Sequence, residues 1–385
     1  MKKIATFFLT LLGLNFGSAC SGQNYESQNV KEFGELIKRN NVLLLDVRTA
    51  SEFAESHIAD AVNIDVNGND FIKKALERLD KQFTIAVYCR SGRRSANAAN
   101  QLAKEGFKVV NLTGGINAWT DAQMPISTQK LEWDAFTTKN GKTLKIYSLI
   151  HASLRFVYAD KEIQIDPVGK MGDRITDYAQ MPKANWIVVT HEHGDHLDKA
   201  AIETLSDANT RLITNQRCVD ILGKGIMMKN GDKRDESLRD VMKNGDKREE
   251  SLRDVMKNGD KRDESLGDEQ FTLEAVPAYN ITEGHTQFHP KGRDNGYIFT
   301  MDGLRIYVAG DTEDIEEMSN IKNIDIAFLP CNQPYTMTTE QLIKAARIIR
   351  PKILFPYHYG QTDVSGIPAA LQSDGIEVRI RETLR

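Results

Sequence analysis

The stretch Trp186-Ile-Val-Val-Thr190-His191-Glu-His193-Gly-Asp195-His196 sets the reading of the larger part of this chain. Its first five residues are apolar or β-branched, the composition of a buried strand. The six that follow hold three of the chain's eight histidines and an aspartate. A turn at the end of a buried strand is rigid yet can face a cleft. Imidazole and carboxylate at this spacing suit a borderline divalent cation such as zinc. A polar turn with histidines by chance would not concentrate three of eight. The turn is read as a metal loop.

Four ligands do not complete a dinuclear site, so others are sought at strand ends. Asp311 follows Tyr307-Val-Ala-Gly310, His358 follows Ile353-Leu-Phe-Pro-Tyr357, and His289 stands ahead of Gly296-Tyr-Ile-Phe299. His285 competes with His289 for that place. From Leu144 onward strands come in series, at 144–150, 155–158, 162–165, 271–276, 296–300 and 304–308. Helical segments such as Thr339–Ile349 separate the groups, so two packed sheets flanked by helices are expected. Ligands at the same end of several strands would meet in one cleft.

The chain's 385 residues suggest two or three domains, and residues 27–127 form a separate unit. There the strands Val42–Leu45, Thr84–Tyr88 and Val109–Leu112 alternate with helical patterns such as 95–105, which predicts a mainly parallel sheet covered on both faces. The polar stretch 128–142 reads as a linker, leaving 143–385 as the second domain. Inside that domain Lys229-Asn-Gly-Asp-Lys-Arg returns at Lys243 and Lys257. This period of 14 over 229–267 reads as a tandem duplication expanding a surface loop, with a helical partner-binding arm as the alternative.

Cys89-Arg90-Ser91-Gly92-Arg93-Arg94-Ser95 links the Thr84–Tyr88 strand to a helix. Backbone N–H groups at a helix start, with Gly92 letting the loop curl, make an anion-binding nest. Arg90, Arg93 and Arg94 would add fixed positive charge, favouring thiolate at Cys89 over a buried, inert thiol.

Met1-Lys-Lys, the apolar run Ile4–Phe16 and Gly17-Ser-Ala-Cys20 have the layout of a secretory signal over 1–20. Cys20 resembles the acceptor of a bacterial lipobox, and ordinary cleavage after Ala19 is the alternative. The protein is therefore expected to be exported, periplasmic or anchored at the cell envelope by a lipid. Beyond the first twenty positions no run of eighteen apolar residues occurs, so no internal span is expected. A net charge of −4 gives no footprint for nucleic acid. Cys20 aside, Cys89, Cys218 and Cys331 are too few and too widely spaced for a disulfide scaffold or a cysteine-ligated zinc site.

Two resemblances join these readings. Asp46-Val-Arg48 with Glu52-Phe53, His57-Ile-Ala-Asp-Ala61-Val-Asn63, the Cys89 loop and Gly114-Gly-Ile-Asn-Ala-Trp119 resemble the rhodanese family of sulfurtransferases across residues 27–127. This implies an α/β domain in which Cys89 accepts a sulfane sulfur from a donor, becoming a persulfide, and passes it to a thiol or cyanide. Residues 90–95 would cradle that sulfur. Four residues between Cys89 and Arg94, with serine at 95, separate this loop from the longer one of cysteine phosphatases. Ala59-Asp60 departs from the pattern, in a turn where the family often has a glycine.

Residues 143–385 resemble the metallo-β-lactamase superfamily and, within it, the L-ascorbate-6-phosphate lactonase-like hydrolases. The supporting pieces are His151-Ala-Ser153, Ile165-Asp166-Pro167, Pro277-Ala-Tyr-Asn280, His289-Pro-Lys-Gly292 with Asn295-Gly-Tyr297, and Phe355-Pro-Tyr-His358-Tyr-Gly360. The resemblance implies a four-layer αββα fold and two divalent ions, zinc or else manganese. His191, His193 and His289 would hold one ion and Asp195, His196 and His358 the other, with Asp311 bridging. His151 and Asp166 would orient ligands from outside. Such ions, about 4 Å apart, would ionise a bridging water to hydroxide, with Asp195 shuttling its proton. Hydrolysis of a small-molecule lactone, amide or phosphoester would follow. The alternative is an iron-dependent persulfide dioxygenase, which shares the fold, occurs fused to rhodanese domains and needs one iron on two histidines and an aspartate. A non-catalytic envelope binding protein would require both sites to be vestigial.

Overall fold

A computed structural model describes residues 24–39, 41–128, 131–237 and 270–385. The expected leader at 1–20 and the second and third copies of the repeat lie outside the described residues.

The first domain is a five-stranded parallel sheet, in spatial order Glu26–Gln28, Lys108–Leu112, Thr84–Tyr88, Val42–Asp46 and Val62–Asn63. Every residue of Val42–Asp46 is buried, as expected of a strand covered on both faces. Leu43, Leu45, Ile85 and Val87 point into one apolar cluster, while Val42, Leu44, Ala86 and Tyr88 point into another. The helix Ala50–Glu55 begins at a capping box in which Thr49 and Glu52 satisfy each other's backbone N–H groups.

The second domain stacks two seven-stranded mixed sheets. One runs Ile226–Met227, Arg211–Thr214, Trp186–Val188, Lys161–Ile165, Ser153–Tyr158, Thr143–Ile150 and Glu132–Thr137. The other runs Lys233–Ser237, Gln270–Ala278, Asp294–Met301, Leu304–Val308, Ile326–Pro330, Ile353–Tyr357 and Glu377–Val378. The period-two alternation of strand side chains assigns the layers. Trp186 and Val188 enter the large cluster between the sheets, which also contains Phe156, Phe299 and Phe328. Ile187 and Val189 face the other way, toward Ala201, Ile202 and Leu205 of the helix Lys199–Leu205. On the far side, the helix Thr339–Ile349 buries Leu342, Ala345, Ala346 and Ile349 against the second sheet. The result is the four-layer αββα arrangement.

Two segments differ from the sequence reading. Residues 128–142 are not simply a linker, because Glu132–Thr137 is an edge strand antiparallel to Thr143–Ile150. Its buried carboxylate, Asp134, is paired with Arg379 at 2.9 Å and with Arg381, two partners far away in sequence. The duplicated region is not wholly a surface loop either. Lys233–Ser237 of its first copy pairs with Gln270–Ala278. Glu236 there is fully buried and accepts from Trp186 Nε1, Arg211 and Arg234, each at 3.0 Å. Charge that reads as solvated is neutralised inside the fold.

The domains meet along the strands Glu132–Thr137, Thr143–Ile150 and Ser153–Tyr158. Trp133 Nε1 donates to the Asp60 carbonyl at 3.0 Å, Lys145 Nζ to the Val42 carbonyl at 3.1 Å, and Arg155 lies 3.3 Å from the Asp60 carboxylate. Asp60 has φ 65, a left-handed conformation that glycine adopts freely and aspartate tolerates. Asp60 thus supplies a carboxylate to the second domain. Among the described residues no helix is long and apolar enough to cross a membrane.

Candidate metal centre

The Trp186–Val188 strand delivers the metal loop to the junction of the two sheets, where His191 and His196 are fully buried. Asp166, at the end of the neighbouring parallel strand Lys161–Ile165, holds this loop. It accepts from the Thr190 N–H and Oγ1, each at 2.7 Å, and lies 2.8 Å from His196 Nδ1. Such a partner fixes the proton on Nδ1 and leaves Nε2 to face the centre. Asp294 does the same for His289, 3.1 Å from its Nδ1.

Asp311 stands beyond the Leu304–Val308 strand and occupies the middle. Its Oδ2 lies 3.4 Å from His289 Nε2, 3.2 Å from His358 Nε2 and 3.9 Å from His191 Nε2. Its Oδ1 lies 3.3 Å from His196 Nε2. Asp195 Oδ2 sits 3.3 Å from His358 Nε2 and 3.4 Å from His151 Nε2. His191 Nε2 and His193 Nδ1 are 3.1 Å apart.

These distances test whether a cation fits. Charge-assisted hydrogen bonds run about 2.7–2.9 Å. Two donors about 2.0–2.1 Å from a shared tetrahedral ion stand roughly 3.3–3.4 Å apart. Five imidazole–carboxylate pairs around Asp195 and Asp311, at 3.2–3.4 Å, are near the second spacing, whereas His196 and Asp166, at 2.8 Å, have the first. His151 Nε2, His196 Nε2, His358 Nδ1 and Nε2, and Asp311 Oδ1 are buried without a hydrogen-bond partner. Buried polar atoms are rarely left so, and four of these, all but His358 Nδ1, face the carboxylates of Asp195 and Asp311 or an imidazole at one place, which marks a site for ions.

All seven proposed ligands, His191, His193, Asp195, His196, His289, Asp311 and His358, converge here. The sets able to share an ion are His191, His193 and His289; His151, Asp195 and His358; and His191, His196 and Asp311. His151 stands with Asp195 and His358, beside the pair His196 and Asp311. Asp166 pins the His196 ring so that Nε2 faces Asp311 Oδ1. His151 could have been found by the rule that found the others, since it ends the Thr143–Ile150 strand. His285 belongs to none of these sets; its Nδ1 lies 3.3 Å from the buried Glu313 carboxylate.

Burial opposes the charge of Asp195, yet His196, His151 and His358 hold its carboxyl well below the usual range. Its side chain remains 30% exposed, so a fixed anion faces the cleft. Burial, reinforced by His196, keeps His191 neutral by pushing its pKa down.

The Cys89 loop lies at the carboxyl end of the first sheet. Burial would raise the thiol, but Ser95 Oγ at 3.4 Å and the N–H groups of Ser95, Ser91 and Gly92 lower its pKa below the ordinary value. The arginines act differently from expectation. Arg94 is forked onto Glu52 at 2.6 and 2.7 Å, which lowers that carboxyl to about 2. Arg90 and Arg93 are exposed. The cradle is therefore mainly backbone and Ser95. Gly115, at φ 60, lets the next helix close on it: an added Cβ would lie 2.3 Å from the Cys89 carbonyl oxygen. Cys89, Cys218 and Cys331 are all free, and burial raises the latter two to about 12.

Comparison with known proteins agrees with this geometry. Residues 29–122 match the rhodanese-like domain family, and residues 145–358, more than half the chain, match the β-lactamase superfamily domain. A sulfurtransferase of Allochromatium vinosum is 37% identical over 92 residues, covering 24% of this chain and 83% of the relative. A UPF0173 metal-dependent hydrolase of Archaeoglobus fulgidus is 26% identical over 248 residues, covering 62% of this chain and 94% of the relative. A crystal structure of a Parabacteroides distasonis protein is 46% identical with a TM-score of 0.56, covering 66% of this chain and 100% of that one. The chain therefore belongs to the β-lactamase superfamily, as a metal-dependent hydrolase of the metallo-β-lactamase fold fused behind a rhodanese-like domain.

Proposed function

We propose that the second domain hydrolyses a lactone, amide or phosphoester bond of a small molecule with two divalent ions, zinc or else manganese. The observation that carries this reading is the set of buried imidazole and carboxylate atoms spaced 3.2–3.4 Å apart around Asp195 and Asp311. When bound, the ions supply Lewis acidity to a substrate oxygen and lower the pKa of water. Asp195, anionic and open to the cleft, is placed to orient an attacking water and relay its proton to the leaving group. The local likeness around His289 and His358 favours the L-ascorbate-6-phosphate lactonase-like branch, hence a phosphorylated lactone as first substrate to try.

The first domain is proposed to transfer sulfur. The Cys89 thiolate attacks the sulfane sulfur of thiosulfate, forming an S–S bond and releasing sulfite. An acceptor thiol or cyanide then takes the outer sulfur and returns the thiolate. Export by the 1–20 leader, with lipid attachment at Cys20, completes the proposal; cell fractionation with labelled fatty acid tests it.

Metal analysis of the purified protein decides the main reading. About two zinc or manganese ions per chain, with hydrolysis of model lactones or phosphodiesters, are expected. A single iron with rapid oxygen uptake on glutathione persulfide would overturn it in favour of the dioxygenase. For the first domain, Cys89→Ser is expected to abolish sulfur transfer from thiosulfate; retained transfer would refute the nucleophile.

A further inference from the structure

We propose that His151 is itself a ligand of the second ion, completing a seat with Asp195, His358 and Asp311; this rests on the two-ion reading above. His151 Nδ1 lies 3.3 Å from the main-chain oxygen of Arg385, an acceptor that holds the ring proton on that side. Nε2 is then left with a bare lone pair, and it has no hydrogen-bond partner although it is buried. It faces Asp195 Oδ2 at 3.4 Å. Two acceptors aimed at each other repel unless a cation lies between them. His358 Nε2 stands in the same relation to the same oxygen at 3.3 Å and to Asp311 Oδ2 at 3.2 Å. The His151 and His358 rings are 3.9 Å apart at 44°, flanking one spot from two strand ends.

The surroundings hold His151 there. Its N–H donates to the Thr383 carbonyl at 2.8 Å, and Thr383 is in turn fixed by Glu132 through its N–H at 3.0 Å and Oγ1 at 3.1 Å. His151, Asp166 and His358 have φ of 55, 44 and 50, left-handed conformations that non-glycine residues adopt only when the fold enforces them. All three lie at this centre. The segment that closes on His151 thus comes from the last residues of the chain and from the edge strand Glu132–Thr137.

Metal content and a cobalt spectrum test this directly. After dialysis against a weak chelator, the wild type is expected to retain two ions and His151→Ala one, the second bound roughly tenfold or more weakly. His151→Cys loaded with cobalt(II) is expected to show a thiolate-to-cobalt charge-transfer band absent from the wild type. Circular dichroism checks the fold of both variants. If the wild type and His151→Ala retain two ions with equal affinity, the proposal falls and the two-ion reading stands. If the wild type holds a single ion, the two-ion reading falls. The charge-transfer band then decides the ligand on its own, and its absence from His151→Cys overturns the proposal.

Discussion

The two candidate sites are built on opposite plans. The Cys89 cradle is one run of seven residues whose N–H groups and a single hydroxyl do the work, clamped by the helix that starts at Gly115. The metal centre draws its side chains from five separate stretches, around residues 151, 191–196, 289, 311 and 358. A backbone site tolerates most substitutions that keep its loop curled. A side-chain site of like charges and lone pairs leaves each remaining partner buried and uncompensated when one is removed, and this predicts very unequal responses to mutation.

The largest effect is expected at Asp311, the carboxylate that touches His196, His289 and His358. On the two-ion reading, Asp311→Asn weakens both seats and should cut kcat/KM for hydrolysis about a thousandfold, or about 4 kcal/mol. Sulfur transfer by the same preparation should be unchanged. A fall in both activities together would show that the sites are not independent.

Ser95→Ala probes the other plan. The Cys89 pKa is lowered, so the thiolate appears at lower pH than for an ordinary thiol and is lost as pH falls through the lowered value. Removing the Ser95 hydroxyl should move that profile to higher pH. Alkylation by iodoacetamide near pH 7 should slow roughly three- to tenfold, because one hydrogen bond to a charged acceptor is lost among several. An unmoved profile would mean that backbone N–H groups alone stabilise the thiolate.

The contrast also decides what could be read from sequence. The Cys89 loop and the 191–196 turn are local, and residue type and spacing suffice to find them. So are the alternating strand and helix patterns, including Thr339–Ile349. What escaped depended on partners distant in sequence. Glu132–Thr137 looks polar until Asp134 meets Arg379 and Arg381. Lys233–Ser237 looks solvated until Glu236 meets Trp186 and Arg211. That the His151 ring is aimed at Asp195 depends on the distant 383–385 segment. Arg94 looked like a cradle charge because nothing local announces its fork onto Glu52.

Asp60→Gly tests the junction between the plans. It deletes the carboxylate 3.3 Å from Arg155 but relieves a left-handed aspartate. The Asp60 side chain is 45% exposed, and Arg155 keeps its fork onto Glu162 at 2.7 Å. The change in unfolding free energy should therefore stay within about 1 kcal/mol by thermal or urea denaturation. A larger loss would make the Asp60–Arg155 pair the main tie between domains.

The smallest effect is expected from the largest deletion. Removing residues 229–256 takes out two whole periods and joins Met228 to Lys257-Asn-Gly-Asp-Lys-Arg-Asp-Glu-Ser265, identical to Lys229–Ser237. Glu264 then has the sequence context of Glu236, whose buried carboxylate serves Trp186, Arg211 and Arg234. The edge strand loses nothing it needs, and the connection to Gln270 shortens. Closure entropy changes by only about 0.6 kcal/mol per halving of a connection, and going from 32 residues to four is about three halvings, so the shortened chain should match the full one or exceed its stability by up to about 2 kcal/mol. Metal content and both activities should be unchanged. A destabilisation of more than about 2 kcal/mol would show that the duplicated copies contribute contacts of their own to the second sheet.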